Sequence, residues 1–217
     1  MTESLREKIH QSIRDDITYG KLLPGQRLVE SMLVERFKTS RSPIREALRQ
    51  LESQGLITFE RNKGITVSKL SIQEIDEIYS LRWLLESYAV HLSAERATRS
   101  DVAYLKDLHG KLKESAKNSD LLSWIHNNIL FHDFFSDNSG NSNLNQVLNT
   151  IKRRVYRYHY MIVRIPGHFK AYLEHHEGIL RACELNDGKM AEKYMKAHMH
   201  TIKKVLIDYL NKFPGFY

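Results

Sequence analysis

Leu5, Ile9, Ile13 and Ile17 recur at the spacing of one face of an α-helix and predict a first helix over about 4–19. Gly20 and the turn Leu23-Pro24-Gly25 end it. Two shorter amphipathic segments joined by a polar turn follow over 28–52, the first starting near Glu30 and the second running from about Ser42 to Gln54. Pro43 falls in the first turn of the latter, where a missing N–H is no loss, and Gly55 closes it. Ile44, Ala47, Leu48 and Leu51 form the buried stripe of this third helix, and Leu33 and Phe37 belong to the same core. The period then changes to that of strands at 56–60 and 65–68, with Arg61-Asn62-Lys63-Gly64 as the hairpin turn. Three helices and a hairpin make a winged helix-turn-helix over residues 1–70.

Past Leu70 the pattern is helical to the end. Ser71-Ile72-Gln73-Glu74 has the spacing of a capping box, in which hydroxyl and carboxylate satisfy the first free N–H groups of a helix. Helices are predicted at 72–97, 101–118, 120–137, 142–163, 167–185 and 188–211, separated by polar, Gly- or Pro-containing breaks. They imply an antiparallel bundle of six to seven helices over residues 71–217, and a mainly α protein.

Composition narrows the function. No run of about 18 apolar residues is present to span a membrane. Thr2 to Lys8 is polar and charged, unlike a secretory signal. Cys183 is the single cysteine, which excludes an intrachain disulfide and fits a reducing cytoplasm. The net charge is +7, and residues 1–70 hold 13 Lys+Arg against 9 Asp+Glu. The excess is densest in the first third and points to a polyanionic partner there.

Short hydroxyls and guanidiniums at the start of the third helix suit the end of a helix that enters a DNA groove, where they reach phosphates and base edges. Ser40, Arg41, Ser42 and Arg45 occupy that end, and Arg49 lies one turn on. The competing reading is solvated charge, or ion pairs of Arg45 with Glu46 and Arg49 with Glu52. Over roughly residues 9–68 the chain resembles the N-terminal domain of the GntR family, FadR-like branch. The resemblance rests on Gly20, Leu23-Pro24-Gly25, Leu28, Glu30, Leu33, the run Ser40 to Leu48, Leu51, Gly55-Leu56-Ile57 and Gly64. It implies that Arg41 and Arg45 contact bases or backbone, that Ser40 and Ser42 hold phosphates, and that the Lys63-Gly64 turn enters the minor groove. One such domain covers little surface, so two copies on a pseudo-palindromic operator, about one turn or roughly 34 Å apart, are expected.

Eleven histidines are present, most of them in the second half. His132 shares a helix face with Asn128; His176 lies in the row Leu173, Ile179, Leu180, Cys183; His198 lies in the row Tyr194, Met195, Ile202, Val205. Each alone reads as a core histidine bonded to a backbone carbonyl. Together they bring three imidazoles and a carboxamide from three helices into one apolar core, without carboxylate partners, and a divalent metal would tie them together. This half, over roughly 72–211, resembles the FCD effector domain, which carries Asp-x-x-x-His on one helix and single histidines on two later ones. The resemblance implies Asn128, His132, His176 and His198 as metal ligands, with zinc first and nickel or manganese as alternatives. Asn128 departs from the family's aspartate and removes a negative charge. Two consequences compete: weaker metal binding, even an empty site, or stronger attraction of an anionic effector. Arg82, in the row Ile75, Ile78, Leu85, Ala89, offers a fork for an effector carboxylate or an i,i+4 ion pair with Glu86.

The leading function is therefore a bacterial, cytoplasmic transcriptional regulator. It binds operator DNA as a homodimer and responds to a small carboxylic acid in the metal-containing bundle. The alternative is a constitutive dimeric DNA-binding protein whose metal is structural or whose histidine site is empty. Water activation by a three-histidine metal would make a hydrolase, but no general base, nucleophile elbow or phosphate loop accompanies the histidines, so no enzyme is expected.

Overall fold

A computed structural model describes residues 4–60, 64–156, 158–165 and 167–213. The first unit is built from α1 (Leu5–Thr18), β1 (Arg27–Leu28), α2 (Glu30–Phe37), α3 (Arg41–Ser53), β2 (Ile57–Glu60) and β3 (Gly64–Val67). The Ser4/Glu7 pair closes a capping box that starts α1. Ile9, Ile13 and Ile17 from α1 meet Ile44, Ala47, Leu48 and Leu51 from α3, and all are essentially inaccessible to solvent. Gly55, with φ +69°, turns the chain out of α3 in the left-handed region that glycine enters freely. β2 and β3 pair antiparallel, from Ile57↔Val67 to Glu60↔Gly64. The sequence pattern gave no sign of β1, whose two residues pair with β3 to make a three-stranded sheet of order β1-β3-β2. It is too short to carry a period.

Seven helices follow: α4 (Ile72–Glu95), α5 (Arg99–Asn118), α6 (Leu121–Asp137), α7 (Ser142–Tyr156), α8 (His159–Val163), α9 (Phe169–Glu184) and α10 (Gly188–Lys212). Capping boxes at Ser71/Glu74 and Thr98/Asp101 start α4 and α5. α4 and α10 are the longest and lie side by side, with α9 against α10 and α5 against α6. Their core, with Tyr79, Trp124, Phe131, Phe135 and Ile179 at its centre, is separate from the winged-helix core.

The segment 142–163, predicted as one helix, is α7 and α8. Tyr158 sits fully buried between them, and its hydroxyl accepts a hydrogen bond from the Leu70 N–H at 2.9 Å. That contact spans 88 residues and leaves no periodic trace, so tertiary structure overrides the local helical pattern. No helix among the described residues is long and apolar enough to cross a membrane.

Cys183 is buried on α9, and burial pushes its thiol up to about 12. The native protein is therefore expected to resist iodoacetamide at pH 8, whereas the urea-unfolded chain should label fully. Mass spectrometry of the two samples checks this; equal labelling would show the bundle to be open around α9.

Candidate DNA interface and candidate metal centre

One stripe of α3 (Ile44, Ala47, Leu48 and Leu51) turns inward, and the rest of the helix carries the polar residues singled out above. Ser40, Arg41, Ser42, Arg45 and Arg49 are all exposed. Ser40 is the N-cap in extended backbone, yet its hydroxyl makes no capping bond, which leaves it and the first N–H groups of α3 facing outward. The Arg45 Nε donates to Glu30 at 3.0 Å, so its partner is a residue of α2 and not the neighbouring Glu46. The pair is more than half exposed on the arginine side, and a competing phosphate can displace an exposed pair of this kind. Ser42 Oγ lies 3.4 Å from Glu46. Gly64, with φ +79°, ends the hairpin turn; Lys63 and Arg61 lie outside the described residues. One basic residue escaped the sequence pattern. Arg27 of β1 brings its guanidinium to 3.6 Å from where a Gly64 side chain would begin, and so adds a cation to the wing. Its only signal was the pairing of β1, which the pattern did not reveal.

In the bundle, His132 of α6, His176 of α9 and His198 of α10 converge. His132 Nε2 lies 3.1 Å from His198 Nε2, and His176 Nε2 lies 3.3 Å from the same atom. All three rings are buried, and Phe131 stacks on His176 with centroids 4.4 Å apart. Gly178 makes the approach possible, because a side chain there would collide with the Tyr194 ring of α10. His175 and His200 stay outside the cluster; His200 is exposed.

The triad has a carboxylate partner, contrary to the sequence reading. Glu86 of α4 is buried, and its Oε2 lies 3.0 Å from His132 Nδ1. Its other oxygen takes the Arg82 Nε at 2.6 Å. Burial would raise the Glu86 carboxyl, but Arg82, the His132 hydrogen bond and Lys152 outweigh it and hold the group far below the usual carboxylate range. Glu86 is therefore ionised and accepts from His132 Nδ1, so that a tautomer with its proton on Nδ1 presents Nε2 as a ligand atom. This is the carboxylate–imidazole arrangement that orients a metal-bound histidine. Continuing the row through Arg82 by one turn would have placed Glu86 on the same inward face.

The proton count supports a cation at the centre. Burial first, and then the neighbouring imidazoles, hold His176 and His198 well below the ordinary histidine pKa, so both rings are neutral. Their Nδ1 atoms have no protein partner, so their polar contacts run only through Nε2. Three Nε2 atoms crowd together. The edges of a tetrahedron with Zn–N bonds near 2.05 Å are about 3.3 Å, and octahedral edges are about 3.0 Å. The two separations from His198 match either. The donor set thus fits a divalent metal. Asn128 lines a void of about 20 Å³ together with His198 and Tyr172, beside the triad. That volume holds one water molecule.

Arg82 is 1% exposed and serves both roles the sequence left open only in part. It pairs with Glu86 and lies over the Tyr79 ring at 4.8 Å, while its Nη1 has no protein partner. Tyr79 and Tyr172 hydroxyls are also buried without partners nearby. On α7, Arg154 lies 3.4 Å from Glu74 and Arg153 faces the gap toward α1; Arg157 is outside the described residues.

Glu86→Gln is expected to strand Arg82 as a buried charge without a counter-ion. Such losses cost roughly 3–5 kcal/mol, so the urea midpoint should fall sharply. A midpoint within experimental error of wild type would show that Glu86 does not hold Arg82 and His132 in solution.

Residues 5–67 match the family model described as bacterial regulatory proteins, gntR family, and residues 77–201 match that of the FCD domain. The chain belongs to the gntR family and carries an FCD domain. Among curated relatives, the regulator YdhC of Bacillus subtilis is 29% identical over 197 residues, covering 89% of this chain and 87% of the relative. The regulator McbR of Escherichia coli is 28% identical over 211 residues, covering 96% of both. The solved structure of E. coli McbR superposes with a TM-score of 0.87 at 25% identity, over 97% of this chain and all of that one. A GntR structure from Rhodococcus, at 19% identity and TM-score 0.79, shares the fold. These relatives are transcription regulators and not enzymes, and this gntR/FCD chain is a transcriptional regulator of the same two-part design.

Proposed function

We propose that this regulator binds a pseudo-palindromic operator as a homodimer, senses a small carboxylic acid in its FCD bundle, and holds a divalent metal there. The observation that carries the sensing half is the convergence of His132, His176 and His198 with the Arg82–Glu86 pair behind them. The metal, with zinc first, would sit on the three Nε2 atoms, with Asn128 positioned to complete the shell. Bound there, it would supply an open coordination position for a carboxylate oxygen. The free Nη1 of Arg82 supplies the matching donor. Ser40, Arg41, Ser42, Arg45 and Arg49 read the operator, with Lys63 and Gly64 at the wing. The division of labour follows the two separate cores, residues 1–70 for DNA and 71–217 for sensing and dimerisation. An apolar stripe on α4 supports a dimer: Leu81, Leu84 and Tyr88, spaced for one helix face, are about half exposed.

A second reading has one observation in its favour. The 20 Å³ void beside the triad is far smaller than a carboxylic acid, so the bundle must open to admit one. In that reading the metal is structural and DNA binding is constitutive. Elemental analysis of protein purified without chelator, followed by melting curves with a panel of carboxylic acids, tests both. One metal per chain and a selective rise in melting temperature support sensing. Metal without any acid-dependent shift favours the structural role. No metal refutes the centre.

A further inference from the structure

A second feature relevant to signalling lies outside the bundle core. A cavity of about 410 Å³, within the size range of small-molecule sites, separates α1 from α6 and α7. Its walls carry Arg14 and Gln11 from the winged helix and Arg153, Asn149, Asp133 and Tyr156 from the bundle. The carboxylates are already committed. Asp133 accepts from Lys152 Nζ at 3.0 Å and from the Tyr156 hydroxyl at 3.2 Å, and Asp15 accepts from Gln11 at 2.7 Å. Arg14 and Arg153 are half-buried, and among the described residues neither makes a hydrogen bond or an ion pair. Burial first, and then both of these guanidiniums, push the His10 imidazole below its ordinary pKa, so the two cations lie near one ring. Two cations from opposite units thus face a shared polar cleft without a direct ion pair; the Asp15 carboxylate on the same wall, bonded to the neutral Gln11 amide, offsets part of their charge.

Among the described residues, three direct contacts across this boundary stand out. The Tyr19 hydroxyl meets His126 Nδ1 at 3.2 Å, the Leu70 N–H meets Tyr158, and Gly20 packs against Tyr160 so closely that a side chain would collide. Interfaces between domains of one chain commonly allow relative motion.

We propose that the cleft binds a small oxyanion, a carboxylate or a phosphate, clamped between Arg14 and Arg153, and that binding fixes the winged helix against the bundle. The planar forks of two arginines suit such a group, and the amides of Gln11 and Asn149 supply further donors. The anion converts repulsion between the units into a bridge. The cleft also reaches the histidine centre, because Lys152 binds both Asp133 and the His132 carbonyl, the latter at 3.2 Å.

The test titrates the full-length protein with sodium phosphate and, separately, with sodium succinate at constant ionic strength, read by calorimetry and melting temperature. Saturable binding of at least one probe is expected, weakened tenfold or more in Arg14→Ala/Arg153→Ala. Phosphate alone binding identifies a phosphate ester as the ligand class; succinate alone identifies an organic acid. Arg153→Glu places the anion's charge opposite Arg14, and should abolish probe binding while raising the melting temperature toward that of the anion-bound wild type. The proposal is overturned if neither probe saturates, if the double variant binds as wild type does, or if Arg153→Glu still binds anion.

Discussion

Replacing Arg41 and Arg45 together by alanine is expected to lower specific operator affinity by at least about a thousandfold. A good arginine contact to a base is worth about 1–3 kcal/mol, and a dimer loses four guanidiniums. Both side chains are exposed, and the Arg45–Glu30 pair is of the exposed kind that contributes little. Stability should therefore change by about 0.5 kcal/mol or less. The salt dependence of the remaining binding should also be shallower, because fewer counterions are released. Fluorescence anisotropy at two salt concentrations, beside a melting curve, measures all three. Undiminished specific binding would remove α3 as the reading helix.

His176→Ala is expected to have the second-largest effect, on metal content and stability together. Metal should fall from about one per chain to less than about a tenth, since two imidazoles and an amide seldom retain an ion that three imidazoles hold. An ion present at about 1,000 times its dissociation constant stabilises the folded state by about 4 kcal/mol, or roughly 8–16 °C in a chain of this size. The substitution also removes the ring stacked on Phe131. Chelation separates the two contributions. It should lower the melting temperature of wild type by most of that amount and leave the variant unmoved. A variant that still responds to chelator would place the metal elsewhere.

Much of this architecture was legible because it is periodic. α1 and α3 announce themselves through Ile9, Ile13, Ile17 and through Ile44, Ala47, Leu48, Leu51, each a stripe that must be buried. The triad followed from the same logic, since His132, His176 and His198 each lie on an apolar row. What remained hidden depends on contacts between distant residues. Glu86 reaches His132 across 46 residues, and assigning it wholly to Arg82 concealed its second oxygen. Tyr158, between α7 and α8, meets Leu70 across 88 residues, and Arg27 reaches the wing through a strand of two residues. The cleft between α1 and α7 has no signature in either segment alone. It exists only because two units with separate cores meet there.

The central claim is that occupancy of the histidine-lined bundle changes how the winged helix holds DNA. The most direct measurement is the operator dissociation constant of the full-length protein, taken with and without the carboxylic acid that raises its melting temperature, before and after chelation. The account predicts a shift of roughly 5–150-fold, the usual range of coupling between two sites, that is present in the metal-loaded protein and lost after chelation. An acid-dependent shift of equal size in the metal-free protein, or none in the loaded protein, would contradict it.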